Sequence, residues 1–277
     1  MGTIADKLTY LNGTKTAIKE AIKAKGVTVT DTDTFRSYAT KIGEISGGGA
    51  PATKYGCSID NILGNVDEKG AYQTPTEPFT LDMSSVKSLP NNALFYKFYQ
   101  SNATGALIIG LEGDLSGRSA MNSCFSWCTG LTSVDLSSLM TISGENAMNS
   151  CFSSCTGLTS VDLSSLTTIS GDNAMRNCFF ICNSMISITL SALTTISGST
   201  AMRGCFTNCA AMTTISFPAL TSIASNAFGI SSSSYIFFGC TALTEIHFRA
   251  DMQATIEAMS GYANKWGASS STIFFDL

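Results

Sequence analysis

The sequence is short of charge. Of its 277 residues only 13% are Asp, Glu, Lys or Arg, against a usual quarter. With 16 basic and 20 acidic side chains the net charge is −4, which excludes the basic footprint of a nucleic-acid binder. Histidine occurs once, as His247. That removes His-rich metal sites and leaves any acid–base mechanism a single imidazole. No run approaches ~18 continuous apolar residues, so no membrane insertion is expected. The opening stretch MGTIADKLTYLNGTK lacks the apolar core of a secretory signal. Neither a G-x-S-x-G elbow nor an H-E-x-x-H pair is present. Serine, threonine and glycine supply the polarity, and the expectation is a non-enzymatic protein with no cofactor and no metal.

What charge there is gathers at one end. Residues 1–46 hold 7 basic and 5 acidic side chains, a third of the total. Ile4, Leu8, Leu11, Ile18 and Ile22 form one helical stripe, interrupted by Lys15. Gly26 is placed to end that helix. Thr32-Asp33-Thr34 offers caps for a second one, whose apolar face is Phe35, Tyr38, Ile42 and Ile45. Two readings stay open: a hairpin packing on itself, or an anchor that docks on another chain or copy. So small a hairpin buries little, which favours the partner. A glycine-rich linker at 47–56 and a connector at 57–78 follow.

From there the chain repeats itself every 27 residues. Units start at Ala93, Ala120, Ala147, Ala174 and Ala201, with a fifth full copy from Ala227 that carries four extra residues before Cys240. AMNSCFSWCTGLTSVDLSSLMTISGEN (120–146) and AMNSCFSSCTGLTSVDLSSLTTISGDN (147–173) differ at few positions. The unit at Ala93 is degenerate, with Lys97 and Ser101 in place of cysteines. A fixed period of this length means a solenoid, whose coils bury their apolar faces by stacking.

Within one coil, Met148, Cys151, Phe152 and Cys155 sit at i, i+3, i+4 and i+7, which predicts a short helix. Leu158, Val161 and Leu163 then read as a strand. Leu166 and Ile169 turn the chain back, and Ser170-Gly171 supplies a loop. The expected architecture is α/β: a solenoid over 79–248 with one parallel sheet, preceded by the helical hairpin. A terminal cap over 249–277 would cover the last apolar face with Met252, Ile256 and Met259.

The string A-[FM]-x-x-C-F-x-x-C-x-x-L-x-x-[VI]-x-L-x-x-L-x-x-I resembles the BspA-like class of bacterial leucine-rich repeats, most closely at Phe217–Phe228. It departs in using serine where that class often has proline, and in an extra cysteine one turn earlier. The resemblance implies binding at surfaces and carries no catalytic motif; a fold alone does not assign an activity. The segment from Ile4 to Ile42 is similar to a leader found on phage and prophage structural proteins of gut bacteria, and 57–78 to a connector seen there. That second resemblance implies a virion component of a tail, baseplate or fibre, made in the host cytoplasm. It would join other virion proteins or copies of itself through the N-terminal helix. The solenoid would face a host-surface protein or glycan. The alternative is a bacterial cell-surface adhesin.

Nine of the ten cysteines fall in the repeats, at 124/128, 151/155, 178/182, 205/209 and 240, while Cys57 stands apart. The C-x-x-x-C spacing differs from a zinc knuckle, and cysteine is a common buried wedge. Free thiols, inter-coil disulfides and metal binding remain alternatives at this point. The candidate binding face is the outward side of the strands, in two columns: Ser133, Ser160, Ser187, Thr214, Glu245, and Asp135, Asp162, Thr189, Ser216, His247. Trp127, which replaces the serine of the next copy, is a possible ligand contact. A solvated face that merely keeps the rod soluble is the plainer reading of the same columns.

Overall fold

The computed structural model describes residues 15, 16, 18–20, 23, 53–56 and 78–277 except 232, 233 and 269. Two units are distinguished, Met1–Thr53 and Lys54–Leu277. In the first, residues 15, 16, 18–20 and 23 are helical, Ile18 is half-buried, and Lys23 pairs with Glu20 at 3.2 Å. Ile4, Leu8, Leu11, Ile22 and the whole second helix with Phe35, Tyr38 and Ile42 lie outside the described residues, as do Cys57 and most of the linker and connector. Of the expected hairpin, one short helical stretch is described.

The second unit is a β-solenoid. Strands β1 (Thr53–Gly56), β2 (Phe79–Met83), β3 (Thr104–Ile109), β5 (Gly130–Asp135) and β7 (Ser160–Asp162) form one sheet in that order. β1 therefore falls inside the stretch read as linker. Strands β9 (Ser187–Thr189), β11 (Thr214–Phe217), β13 (Glu245–Phe248) and β14 (Thr272–Phe275) form a second. A third runs along another side of each coil: β4 (Gly113–Asp114), β6 (Leu139–Ile142), β8 (Thr168–Ile169), β10 (Thr195–Ile196) and β12 (Ser222–Ile223). From β2 to β14 the neighbouring strands of each sheet pair in parallel. The register follows the repeat. Leu107 pairs with Val134 and Val134 with Val161, and likewise Ile188, Ile215, Ile246 and Ile273.

The single strand-face sheet of the sequence reading is thus interrupted between β7 and β9. A Cβ on Gly157 would lie 2.5 Å from the Thr129 carbonyl oxygen of the preceding coil. One repeat later the residue is Ser184, whose side chain occupies that space and donates to the Thr156 carbonyl at 2.6 Å. The next two coils carry Ala211 and Ala242 at this position and their β9–β11 and β11–β13 ladders stay closed, so a side chain there does not by itself open the ladder.

The predicted helix in each coil is not a helix. Its backbone makes consecutive turns, with Cys151 N–H donating to Met148 and Ser153 to Ser150, while Phe152 N–H donates outward to Cys178 and Ser154 to Phe180 of the next coil. Every fourth residue is left-handed: Asn146, Ser150 and Ser154, then Asn173, Asn177 and Ile181, then Thr200, Gly204 and Asn208. A positive φ at the third residue is what type II turns require, and Asn and Gly supply it at least cost. Ile181 does not. A β-branched residue at φ 60 is strained, and the equivalent position one coil on is Asn208. Ile181→Asn is accordingly expected to stabilise the protein by about 1 kcal/mol, read as a raised midpoint in denaturant titration.

Packing follows the columns. Phe98, Phe125, Phe152, Phe179, Phe206 and Phe237 stack along the axis with ring centroids 5.2, 5.4, 5.8, 5.7 and 6.2 Å apart and planes within 10°. These offsets lie in the favourable range for aromatic pairs. The cap closes the far end as expected. Met252, Ile256 and Met259 are buried, Ile256 within the short helix α1 (Gln253–Glu257). Trp266 is fully buried, donates its indole N–H to the Ser260 carbonyl at 2.9 Å, and meets Phe228 edge-on at 5.2 Å. β14 then adds one more strand to β13.

Candidate functional site

The strand face brings the predicted columns together in two groups. In the first, Ser133 pairs with Ser160 and Asp135 with Asp162. In the second, Ser187, Thr214 and Glu245 align, and beside them Thr189, Ser216 and His247. The gap between β7 and β9 separates the groups. The two carboxylates are engaged locally: Asp135 accepts the Ser137 N–H and Asp162 the Ser164 N–H, each at 2.9 Å. Asp82 holds Ser84 the same way at 3.0 Å. This Asp-x-Ser turn ends β2, β5 and β7, which accounts for the aspartates without any ligand. The carboxylate column is also broken, since Ile108 stands between Asp82 and Asp135.

Among the described residues no group of three His, Cys, Asp or Glu could hold a metal ion. No helix among them is long and apolar enough to cross a membrane.

His247 occupies the end of the second group. Its Nδ1 lies 2.9 Å from Asp276 and its Nε2 3.4 Å from Glu245, and the ring stacks on Phe274 at 4.7 Å. Partial burial works to lower its pKa, but hydrogen bonds and charge from Asp276 and Glu245 outweigh it and leave the pKa raised. A raised folded-state pKa means that this pairing stabilises the fold fully below the unfolded value of about 6.5 and is lost as pH rises through the folded value. Unfolding free energy should fall over that window, and His247→Gln should abolish the dependence. Because the chain has one histidine, its NMR titration should show a single imidazole midpoint above about 6.5.

The nine described cysteines are buried and free. The second of each pair has a fixed partner. Cys128, Cys155, Cys182, Cys209 and Cys240 donate to the carbonyls of Phe98, Phe125, Phe152, Phe179 and Phe206 at 2.9–3.2 Å. Ser101, which lacks the thiol, still meets Cys128 Sγ at 3.2 Å from the first position of that column. Burial pushes every one of these thiols up, Cys240 to about 12. They are protonated packing groups, poor nucleophiles and poor metal ligands.

Trp127 does not belong to the strand face. It projects from the turn segment with 51% of its surface exposed. Near it are residues that the sequence reading passed over, Phe95, Tyr96 and Tyr99, all exposed. Their signal was legible: aligned coils carry Asn122, Ser123 and Ser126 there.

These coils, with parallel strands at a 27-residue offset and an apolar column at each repeat, define a leucine-rich-repeat solenoid. Residues 115–233 match the BspA type leucine rich repeat region, in six copies. No curated protein matches the chain. Solved structures similar to it include the leucine rich repeat protein of T. pallidum (22% identity, TM-score 0.35), with 53% of this chain and 59% of that one covered. Another is a leucine-rich repeat protein from Bacteroides ovatus ATCC 8483 (17%, TM-score 0.37), with 73% and 52% covered. A leucine rich cell surface protein from Faecalibacterium prausnitzii A2-165 is also similar (14%, TM-score 0.22; 82% and 84%). The chain thus spans little more than half the length of the first two.

Proposed function

We propose that the protein is a non-enzymatic attachment module displayed at a bacterial cell surface, using the strand face against an extracellular macromolecule. The observation that carries this is the alignment of hydroxyls along the strand face, Ser133 with Ser160 in one group, and Thr214 and Ser216 on β11 in the other. Strands about 4.8 Å apart turn such columns into an extended surface rather than a pocket, with Asp135 and Asp162 in one group and Glu245 and His247 in the other. The match of 115–233 to a repeat class that resembles surface binders supports the same reading. The virion reading rests on the likeness of residues 4–42, and the described residues add nothing to it.

Antibody labelling and protease shaving of intact producing cells test the proposal. Labelled cells and a shaved solenoid support surface display. A protease-protected chain that sediments with phage particles instead overturns it. A solenoid whose adhesion is unchanged after Ser133→Arg and Ser160→Arg together removes the strand face from the account.

A further inference from the structure

Phe95, Tyr96 and Tyr99 form an exposed aromatic cluster on the turn face of one coil, and Trp127 is exposed on the same face of the next. Phe95 and Tyr96 meet edge-on at 4.7 Å, and Tyr96 and Tyr99 lie 5.3 Å apart. Trp127 is one coil on from Gln100, the neighbour of Tyr99, at about one strand spacing of 4.8 Å. Tyr96 and Trp127 are 49% and 51% exposed, so packing does not explain them. Both are also left-handed, at φ 56 and 65, where later coils place Ser123, Ser150, Asn177 and Gly204 in the Tyr96 column and Ser154, Ile181 and Asn208 in the Trp127 column. Bulky residues are thus held in a conformation that disfavours them, with their rings in water. Strain of this kind concentrates where a surface binds something.

The surroundings narrow what that is. Stretches 92–100 and 119–127 contain one charged side chain, Lys97, while Asn92 and Gln100 present exposed amides. A polyanion such as nucleic acid needs several cations, which are missing here. Four half-exposed rings offer on the order of 400 Å². A stable protein partner or second copy needs roughly 800 Å² per side. What fits is a small, uncharged ligand with apolar ring faces and hydroxyls at its edges.

We propose that this cluster binds a neutral oligosaccharide, its sugar rings stacking on Tyr96, Tyr99 and Trp127 and its hydroxyls meeting the flanking amides. The proposal concerns a different face from the strand columns and stands or falls separately from them. The full chain is titrated with cellotetraose, maltotetraose, mannotetraose and N-acetylchitotetraose, following tryptophan emission. Trp266 is fully buried, so a saturable change reports Trp127. At least one sugar should bind. Tyr96→Ser and Trp127→Ser, which copy the neighbouring coils, should each weaken it by about tenfold while leaving thermal stability equal or higher. No saturable binding to any of the four up to about 1 mM overturns the proposal, as does unchanged affinity in both variants. Conversion of a wild-type dimer to monomer by Tyr96→Ser also overturns it, because the cluster would then be a contact between copies.

Discussion

Phe152→Ala should cost the protein about 4 kcal/mol and its two-state unfolding. The ring is fully buried and stacked on both sides, on Phe125 at 5.4 Å and Phe179 at 5.8 Å. Its removal leaves a cavity that neighbouring coils cannot close, because their spacing is set by main-chain bonds such as Phe152 N–H to Cys178 and Phe125 N–H to Cys151. Stability in a stack is a sum of coil and interface terms, so weakening two adjacent interfaces in the middle lets the ends melt separately. Calorimetric and van't Hoff enthalpies should then diverge. Phe98, the first ring of the ladder, stacks on Phe125 at 5.2 Å and provides the comparison: a cavity there disturbs the coils nearest one end, and Phe98→Ala should fray that end with a smaller loss. Equal effects at both positions would show that the ladder does not act through its neighbours.

Gly171→Ala is expected to be as severe, for a single methyl group. An added Cβ would stand 2.3 Å from the Gly144 carbonyl oxygen and 2.7 Å from its carbon. Gly117, Gly144, Gly171 and Gly198 form a column in which each coil rests on the backbone of the one before. Backbone cannot swing aside as a side chain does. The coil must lift, losing the bonds from Ser170 and Gly171 N–H to the Ile142 carbonyl at 3.0 and 3.2 Å. A loss above about 4 kcal/mol, or failure to fold, is the expected outcome. Gly113→Ala is the control. Its φ is +72 but nothing lies within 4 Å, so only backbone strain of about 1 kcal/mol applies. Thermal melting of the two variants separates close approach from chirality.

Much of this was legible in the residues. The 27-residue offset places Val134 on Val161 and Ile188 on Ile215, as found. The cysteine columns are buried wedges, and the cap residues are where their apolar spacing put them. The helix failed for an instructive reason. Met148, Cys151, Phe152 and Cys155 face inward at nearly helical spacing because four-residue steps of successive turns also return to one side. The distinguishing signal lay in the other residues. Asn146, Asn173, Asn177, Gly204 and Asn208 recur at the positions that need positive φ, and such residues are poor helix formers. The break in the strand face had no such signal, since Ser184 stands where the next coils carry Ala211 and Ala242 and their ladders stay closed. The aspartates of the face looked like ligand groups because a column of carboxylates does. Their serine two residues on, which turns each into a local cap, was in plain view.

The opening of the ladder between β7 and β9 also governs how the solenoid bears load. Main-chain bonds between coils run along the stacking direction, so tension applied between residues 78 and 277 acts on all interfaces in series. Between β7 and β9 the load falls on the β8–β10 pairing and the turn-segment bonds without a strand ladder, and the stack is expected to part there first. Further extension peels coils singly, and each releases 27 residues, about 95 Å of chain. A module built this way yields in steps, dissipating a pull through its own length before the force reaches whatever it holds.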